Sequence, residues 1–314
     1  MSQLSKPGLW PRFSSPVRST ALTARLGSVV GLCFGVCFVT GLLSHYQYGP
    51  WSWLPEPASP VFLYRVTQGT HVATGIAAIP LLLVKLWSVY PNLFRWPPAR
   101  SLKHAVERGS VFVLVAASLI QLTTGFLNIL GWYPWPWDFI KVHFLLGFVV
   151  IGSILIHIGV KLPDIKYGLQ ARLADADVLT EIPWSENPVA HSNAGDVPPP
   201  ATPALGRRGL LVATGVGVAA VVATTVGQTL TPLRPIGLLA PRLSNKGPQG
   251  VPVNRTAAQA GVMPLATAND WRLQVDGPRP YVLSLAEIEE LAEHEARLPI
   301  TCVEGWSVGA DWRG

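Results

Sequence analysis

Long apolar runs separated by short polar stretches make up most of the chain as far as residue 161, and one further run covers 209–229. About 20 apolar residues cross a hydrocarbon layer ~30 Å thick as a helix. Five segments qualify: about 26–44, 68–90, 108–130, 138–161 and 209–229. Residues 171–206 are polar, carry PPPATP at 198–203 and lack periodicity, which predicts a flexible linker. Beyond residue 230 the pattern is that of a soluble segment. WRLQVDG (271–277) alternates like a strand and ends in an Asp-Gly turn signal. Ser284 is placed to cap an amphipathic helix over 285–296, with Leu285, Ile288 and Leu291 on one side. RLPITC (297–302) reads as a second strand. A strand–helix–strand opening that stops at Gly314 is too short to close a core, which points to a truncated product or a fragment.

These elements predict a membrane all-α four-helix bundle plus a fifth transmembrane helix, followed by a truncated α+β segment. The divisions are a cytoplasmic N-terminus at 1–25, a four-helix domain at 26–161, a linker at 162–206, a fifth span at 207–230 and an external segment at 231–314.

Composition supports a bilayer as the main partner. Hydrophobic residues make up 49% and charged residues 13%, so the apolar content is too high and too segregated for an ordinary soluble core. The net charge of +6 would also suit a nucleic-acid partner, but the basic residues flank the apolar runs and no basic stripe is interleaved with aromatics. Lys6, Arg12, Arg18 and Arg25 precede the first span; Arg95, Arg100, Lys103 and Arg108 separate the second from the third; Lys161, Lys166 and Arg172 follow the fourth. The alternate loops carry Arg65 in one case and no basic residue in the other (131–137). The positive-inside rule then puts the N-terminus in the cytoplasm of a bacterial-type cell and the Trp-rich stretches WSWLP (51–55) and WYPWPW (132–137) at the outer interface.

Arg207 and Arg208 directly precede a weakly apolar Ala/Gly/Val/Thr run. The pair has two readings: a fifth anchor with basic flanks, or an internal signal for twin-arginine export. Either one places residues beyond about 230 outside the cytoplasm.

Cys33 and Cys37, four residues apart in the first run, are expected to serve helix packing, and GLCFG (31–35) matches the small-xxx-small pattern. Three cysteines without a CxxC exclude a disulfide framework.

Histidines supply the candidate chemistry. His143 and His157 share the fourth run, and their separation corresponds to ~21 Å of rise and about 40° short of whole turns. Both therefore lie on one helix face, near opposite edges of the membrane. His71 lies near the outer end of the second span, and both His71 and His143 are followed at i+4 by glycine, Gly75 and Gly147. A glycine on that face leaves room for a flat macrocycle beside the imidazole. The alternative is that these histidines hydrogen-bond between helices. His157 is followed at i+4 by Lys161, and its one candidate partner is His104, in the first turn of a helix capped by Ser101. His104 is equally readable as an interfacial histidine. His45, at the outer end of the first span, is a candidate quinone or propionate contact.

This HxxxG pair on a four-helix unit resembles the membrane cytochrome b subunits of the formate-dehydrogenase and b561 type. The resemblance covers four helices and about 135 residues. It implies haem b, with the fourth helix giving one ligand to each of two haems and the second helix pairing with the outer one. His71, His143 and His157 match that pattern. The first helix lacks the family's inner histidine, so one haem is expected and a second depends on His104.

Near the end, TCVEGWSVGADWRG (301–314) resembles the molybdenum-cofactor domain of the sulfite-oxidase family, in its bacterial methionine-sulfoxide-reductase-like branch. The resemblance covers about 250–314 and implies molybdenum-molybdopterin. Cys302 would ligate the metal, and Glu304, Gly305 and Trp306 would shape the pocket. In VPVNRTAAQAG (251–261), Asn254 and Arg255 would contact the pterin. The Arg-rich loop of true sulfite oxidases is absent. From the residues alone, Cys302 reads as a lone cysteine packed at a strand end; the CVEGWS context and the export-like segment turn the reading to a metal ligand.

Together the two resemblances imply a membrane-bound molybdopterin-dependent oxidoreductase with a fused haem-b module. It would act on a small oxo-transfer substrate and exchange electrons with a quinone. The alternative is a haem-b carrier or anchor whose external segment is inactive.

Overall fold

The computed structural model describes residues 17–48, 53, 60, 62–90, 101–173, 206–226, 231–240, 247–253, 255–302 and 306–314. Five long helices carry the apolar runs: α1 Thr20–Tyr48, α2 Leu63–Val89, α3 Leu102–Leu130, α4 Phe139–Gln170 and α5 Arg207–Val226. All five are long and apolar enough to cross a membrane. The protein is a multi-pass helical membrane protein with a small two-sheet C-terminal region. Helix α4 continues past residue 161, through Pro163, to Gln170. The first residues assigned to the linker are therefore helical, and 174–205 lie outside the described residues.

Contacts divide the chain into two compact units, Met1–Val39 with Ala73–Val222, and Thr40–Val72 with Ala223–Gly314. In the first, Val30, Phe34, Ala78, Leu81, Leu82, Ala117 and Val150 form the buried apolar cluster, with Val218 of α5 packed against it. Leu32, Phe112, Leu145, Leu155 and Val216 are exposed on the helices. Lipid tails are as apolar as these side chains, so burial of leucine does not drive such helices together; close packing and hydrogen bonds do.

Both kinds of contact concentrate where the basic clusters stand. The Arg25 guanidinium donates to the carbonyls of Gly168 (3.2 Å) and Ala171 (3.0 Å), which tie α1 to the end of α4. Arg18 donates to Trp87 O at 3.3 Å and lies over the Trp87 ring, 4.6 Å from its centroid. Lys85 Nζ donates to Thr23 O at 2.8 Å, and Thr23 Oγ1 donates to Ser88 Oγ at 3.1 Å. Gly168 allows the closest backbone approach, since a Cβ there would stand 2.7 Å from both Thr20 O and Ala24 Cβ. The expected small-residue contact at Gly31 and Gly35 is not used, because an added Cβ at either meets nothing within 4 Å. Close approach falls on glycines whose partner is backbone or a long side chain, and spacing within α1 does not reveal that.

Helices α3 and α4 form an antiparallel pair. Gly131, at φ 64°, terminates α3, and Trp132 N returns to Leu127 O at 3.1 Å to satisfy an end carbonyl. Asp138 caps α4 by accepting from Lys141 N at 3.0 Å, which holds its carboxyl below the ordinary range. Trp137 stacks on Phe139 at 4.5 Å between ring centroids, so the aromatic loop is fastened to the first turn of α4.

In the second unit, Thr67 Oγ1 of α2 donates to Gln47 Oε1 of α1 at 2.8 Å. Its C-terminal part contains the short helices α6 (Ala257–Ala260), α7 (Met263–Ala266) and α8 (Leu285–Glu289) and two antiparallel hairpins. Strand β1 (Arg272–Val275) pairs with β2 (Tyr281–Ser284), and β3 (Glu295–Cys302) pairs with β4 (Trp306–Arg313). Ser284 and Glu287 form a capping box on α8, as the spacing predicts. The helix ends at Glu289 instead of reaching residue 296. Glu287, Glu289, Glu290 and Glu293 put like charges three and four residues apart, with His294 as the one base at i+4 on the expected helix, and the segment from Glu295 pairs with β4 instead.

The Gly168 contact makes opposite demands on two glycines of one helix. Gly168→Ala should destabilise the protein by about 1–3 kcal/mol through overpacking. Gly152→Ala, where nothing lies within 4 Å, should be neutral or stabilising by up to about 1 kcal/mol. Thermal unfolding of both variants in detergent checks the contrast.

Candidate functional site

Near the α3–α4 turn, Gln121, Thr124 and Gly125 lie at i, i+3 and i+4 on α3, hence on one face. His143, in the second turn of α4, lies against that face. Its Nδ1 is 2.9 Å from Thr124 Oγ1, and its Nε2 is 3.1 Å from Gln121 Nε2. A Cβ at Gly125 would stand 2.9 Å from His143 Cε1. Thr124 is 2% exposed, and its hydroxyl donates within its own helix to Ile120 O (2.9 Å) or Gln121 O (3.0 Å). Gln121 Oε1 is buried and without a hydrogen-bond partner among the described residues.

His71 on α2 has a matching seat against α1, where a Cβ at Gly41 would stand 2.9 Å from His71 Cε1 and 3.1 Å from Nδ1. One turn further along α1, Ser44 is buried, and its Oγ has no hydrogen-bond partner among the described residues. Each imidazole therefore lies on a glycine of the preceding helix. Gly75 and Gly147, the HxxxG glycines read as room for a macrocycle, have other neighbours. An added Cβ at Gly75 meets Cys37 Sγ at 3.7 Å, and one at Gly147 meets Gln121 Nε2 at 3.7 Å. Cys37 Sγ lies 3.0 Å from Thr74 Oγ1, a packing contact of the kind its position suggested.

Gly41, Gly125, Thr124 and Gln121 were missed in the sequence, although a signal for most of them exists. Thr40-Gly41-Leu42-Leu43 and Thr124-Gly125-Phe126-Leu127 share a TGxL pattern at the same end of two successive hairpins, each followed by a helix opening on HxxxG. The two hairpins thus share a short Thr-Gly and HxxxG pattern, with 30 residues from Gly41 to His71 and 18 from Gly125 to His143. The pattern diverges at the other end. Lys85 stands as far beyond His71 as His157 does beyond His143.

Lys85, Lys161 and Glu107 all lie within electrostatic range of the half-buried His157. Lys161 is ion-paired with Glu107 and, at 3.7 Å, with Asp164. His104 falls in the first turn of α3, where Ser101 O accepts the first helical bond from Ala105 N at 2.9 Å, and its side chain lies outside the described residues. His45 is half-buried in the last turn of α1.

Cys302 is half-buried at the end of β3, in register with Trp306 at the start of β4. Arg255 is exposed, beside Thr256, which caps α6. Asn254, Glu304 and Gly305 lie outside the described residues, as does the Trp306 side chain.

The Gly41 and Gly125 surfaces are covered by the imidazoles themselves, so a haem held by His71 and His143 would lie on the rings' other sides, and Gln121, 3.1 Å from His143 Nε2, would have to move. Among the described residues no group of three or more His, Cys, Asp or Glu is placed to hold a metal ion. A haem iron asks less of the protein, because axial side chains are sufficient. At Cys302 the described chain offers one soft sulfur donor.

The two cysteine environments should separate chemically. In detergent, Cys302 should react with a maleimide in the folded chain, whereas Cys37, packed between α1 and α2, should react after denaturation. Mass spectrometry of labelled peptides reads the difference.

Comparison with protein-family models, with curated proteins and with solved structures returns no match to this chain.

Proposed function

We propose that the protein is a membrane-bound haem-b electron-transfer module fused to a segment of a molybdopterin-dependent oxidoreductase. The observation that carries this reading is the repeated seat, an imidazole in an apolar helix lying on a glycine of the preceding helix. Ionisable groups in a membrane span are costly and by default functional. His71 and His143 are the axial ligands in this reading. A second haem would take His157 with His104, in surroundings already occupied by Lys85, Lys161 and Glu107. Haem exchanges electrons singly, and molybdenum supplies two-electron oxygen-atom transfer.

The chain's own residues have three tasks: orienting the imidazoles, seating them against Gly41 and Gly125, and presenting the Cys302 sulfur. Arg255, with Asn254, would contact the pterin, and Glu304 and Trp306 would line the pocket. The basic clusters support a cytoplasmic N-terminus, with Cys302 on the opposite side of a bacterial-type cell membrane. A quinone in the bilayer and a small oxo-transfer substrate outside would be the redox partners.

A second reading, a haem-b carrier or anchor without molybdenum chemistry, draws on a different observation. Beyond Val226, Ala310 is the one buried apolar side chain among the described residues, and each sheet has two strands.

Reduced-minus-oxidised spectra of the purified full chain, with metal analysis, test both readings. His143→Leu and His71→Leu should each abolish a b-type absorbance that His104→Leu leaves in place. An unchanged spectrum in His143→Leu overturns the haem assignment. Haem without molybdenum selects the carrier reading.

A further inference from the structure

We propose that Thr124 is a positioning residue that locks His143 in one tautomer, with the proton on Nδ1 and the lone pair on Nε2. The ligand role of Nε2 rests on the haem reading above, while the lock itself rests on hydrogen bonding alone. The Thr124 hydroxyl has one proton, and the carbonyls of Ile120 and Gln121, at 2.9 and 3.0 Å, are both within its reach. With the proton on either carbonyl, the Thr124 oxygen, 2.9 Å from His143 Nδ1, accepts, and Nδ1 carries the hydrogen.

The other side of the ring agrees. Gln121 Nε2 lies 3.1 Å from His143 Nε2, and an amide nitrogen only donates, so Nε2 is the acceptor. Turning the amide to place its oxygen there would require either protons on both ring nitrogens, a cationic imidazolium inside an apolar span, or withdrawal of the Thr124 proton from its helix carbonyl to Nδ1. The arrangement that avoids this leaves Gln121 Oε1 buried without a partner. An unsatisfied buried acceptor costs about 1–3 kcal/mol. Occupation of Nε2 by a metal would release the Gln121 amide to rearrange, so the amide occupies the ligand position until the metal does.

Gly125 completes the device by letting the ring approach α3 through Cε1, 2.9 Å from where a Cβ would stand. The preceding hairpin repeats the Thr-Gly pair at Thr40 and Gly41, beside His71. Metal-bound histidines are commonly held this way, with the second ring nitrogen donating to an outer acceptor that fixes ring orientation and raises ligand basicity.

The test has one readout that needs no haem. Nitrogen-15 spectra of histidine-labelled full chain prepared without haem, with His143 assigned by its loss in His143→Leu, should show Nδ1–H in the parent and Thr124→Ser. The Nε2–H form should appear in Thr124→Val. An Nε2–H form in the parent, or a Thr124→Val spectrum identical to the parent's, overturns the lock. With haem, Thr124→Val should weaken binding roughly 10–100-fold and raise the midpoint potential, with Thr124→Ser restoring both. Parent-like affinity and potential in Thr124→Val, alongside haem loss in His143→Leu, refute the positioning role and leave the haem assignment standing. Haem retained at parent level in His143→Leu removes the haem reading and, with it, any ligand-positioning role for Thr124.

Discussion

A polar group inside an apolar layer must find its partner within its own chain, because lipid offers none. His143 illustrates this constraint. Its two ring nitrogens meet Thr124 Oγ1 and Gln121 Nε2 on a single face of α3, beside Gly125. The antiparallel pairing of α3 with α4, the Schellman turn at Gly131 and the Asp138 cap together set the register that brings these groups opposite each other.

The same constraint gives the opposite ends of the helices their distinct character. Where the basic clusters stand, Arg18, Arg25 and Lys85 donate to carbonyls of neighbouring helices, and Lys161 pairs with Glu107. These cations are engaged in tying helices together. The shared pattern makes the contrast legible: both hairpins keep the TGxL–HxxxG arrangement, while Lys85 in one corresponds to His157 in the other.

The C-terminal region follows soluble-protein chemistry on a small scale. The capping box at Ser284 and Glu287 forms as its spacing demands, with the Ser284 amide holding the Glu287 carboxyl below its ordinary range. Gln249 brackets the Asp311 backbone with two hydrogen bonds of 2.8 and 2.9 Å from a left-handed conformation (φ 56°). That clamp and the Arg297–Asp311 pair brace a hairpin that has little apolar burial of its own.

The sequence by itself determined the five membrane helices, the placement of the histidines within them, the Ser284 cap, and strands at 272–275 and 297–302, because apolar run length, capping chemistry and alternation are local properties of the chain. It also carried the Thr-Gly repeat, readable once its meaning is known. Tertiary structure decided which glycine serves which imidazole. The i+4 glycines of HxxxG share a helix with their histidine, whereas the glycines that the rings approach, Gly41 and Gly125, stand on the neighbouring helix. Packing also cut α8 short in favour of the β3–β4 pairing. Both outcomes depend on which surfaces meet across space, and periodicity within one segment does not encode that.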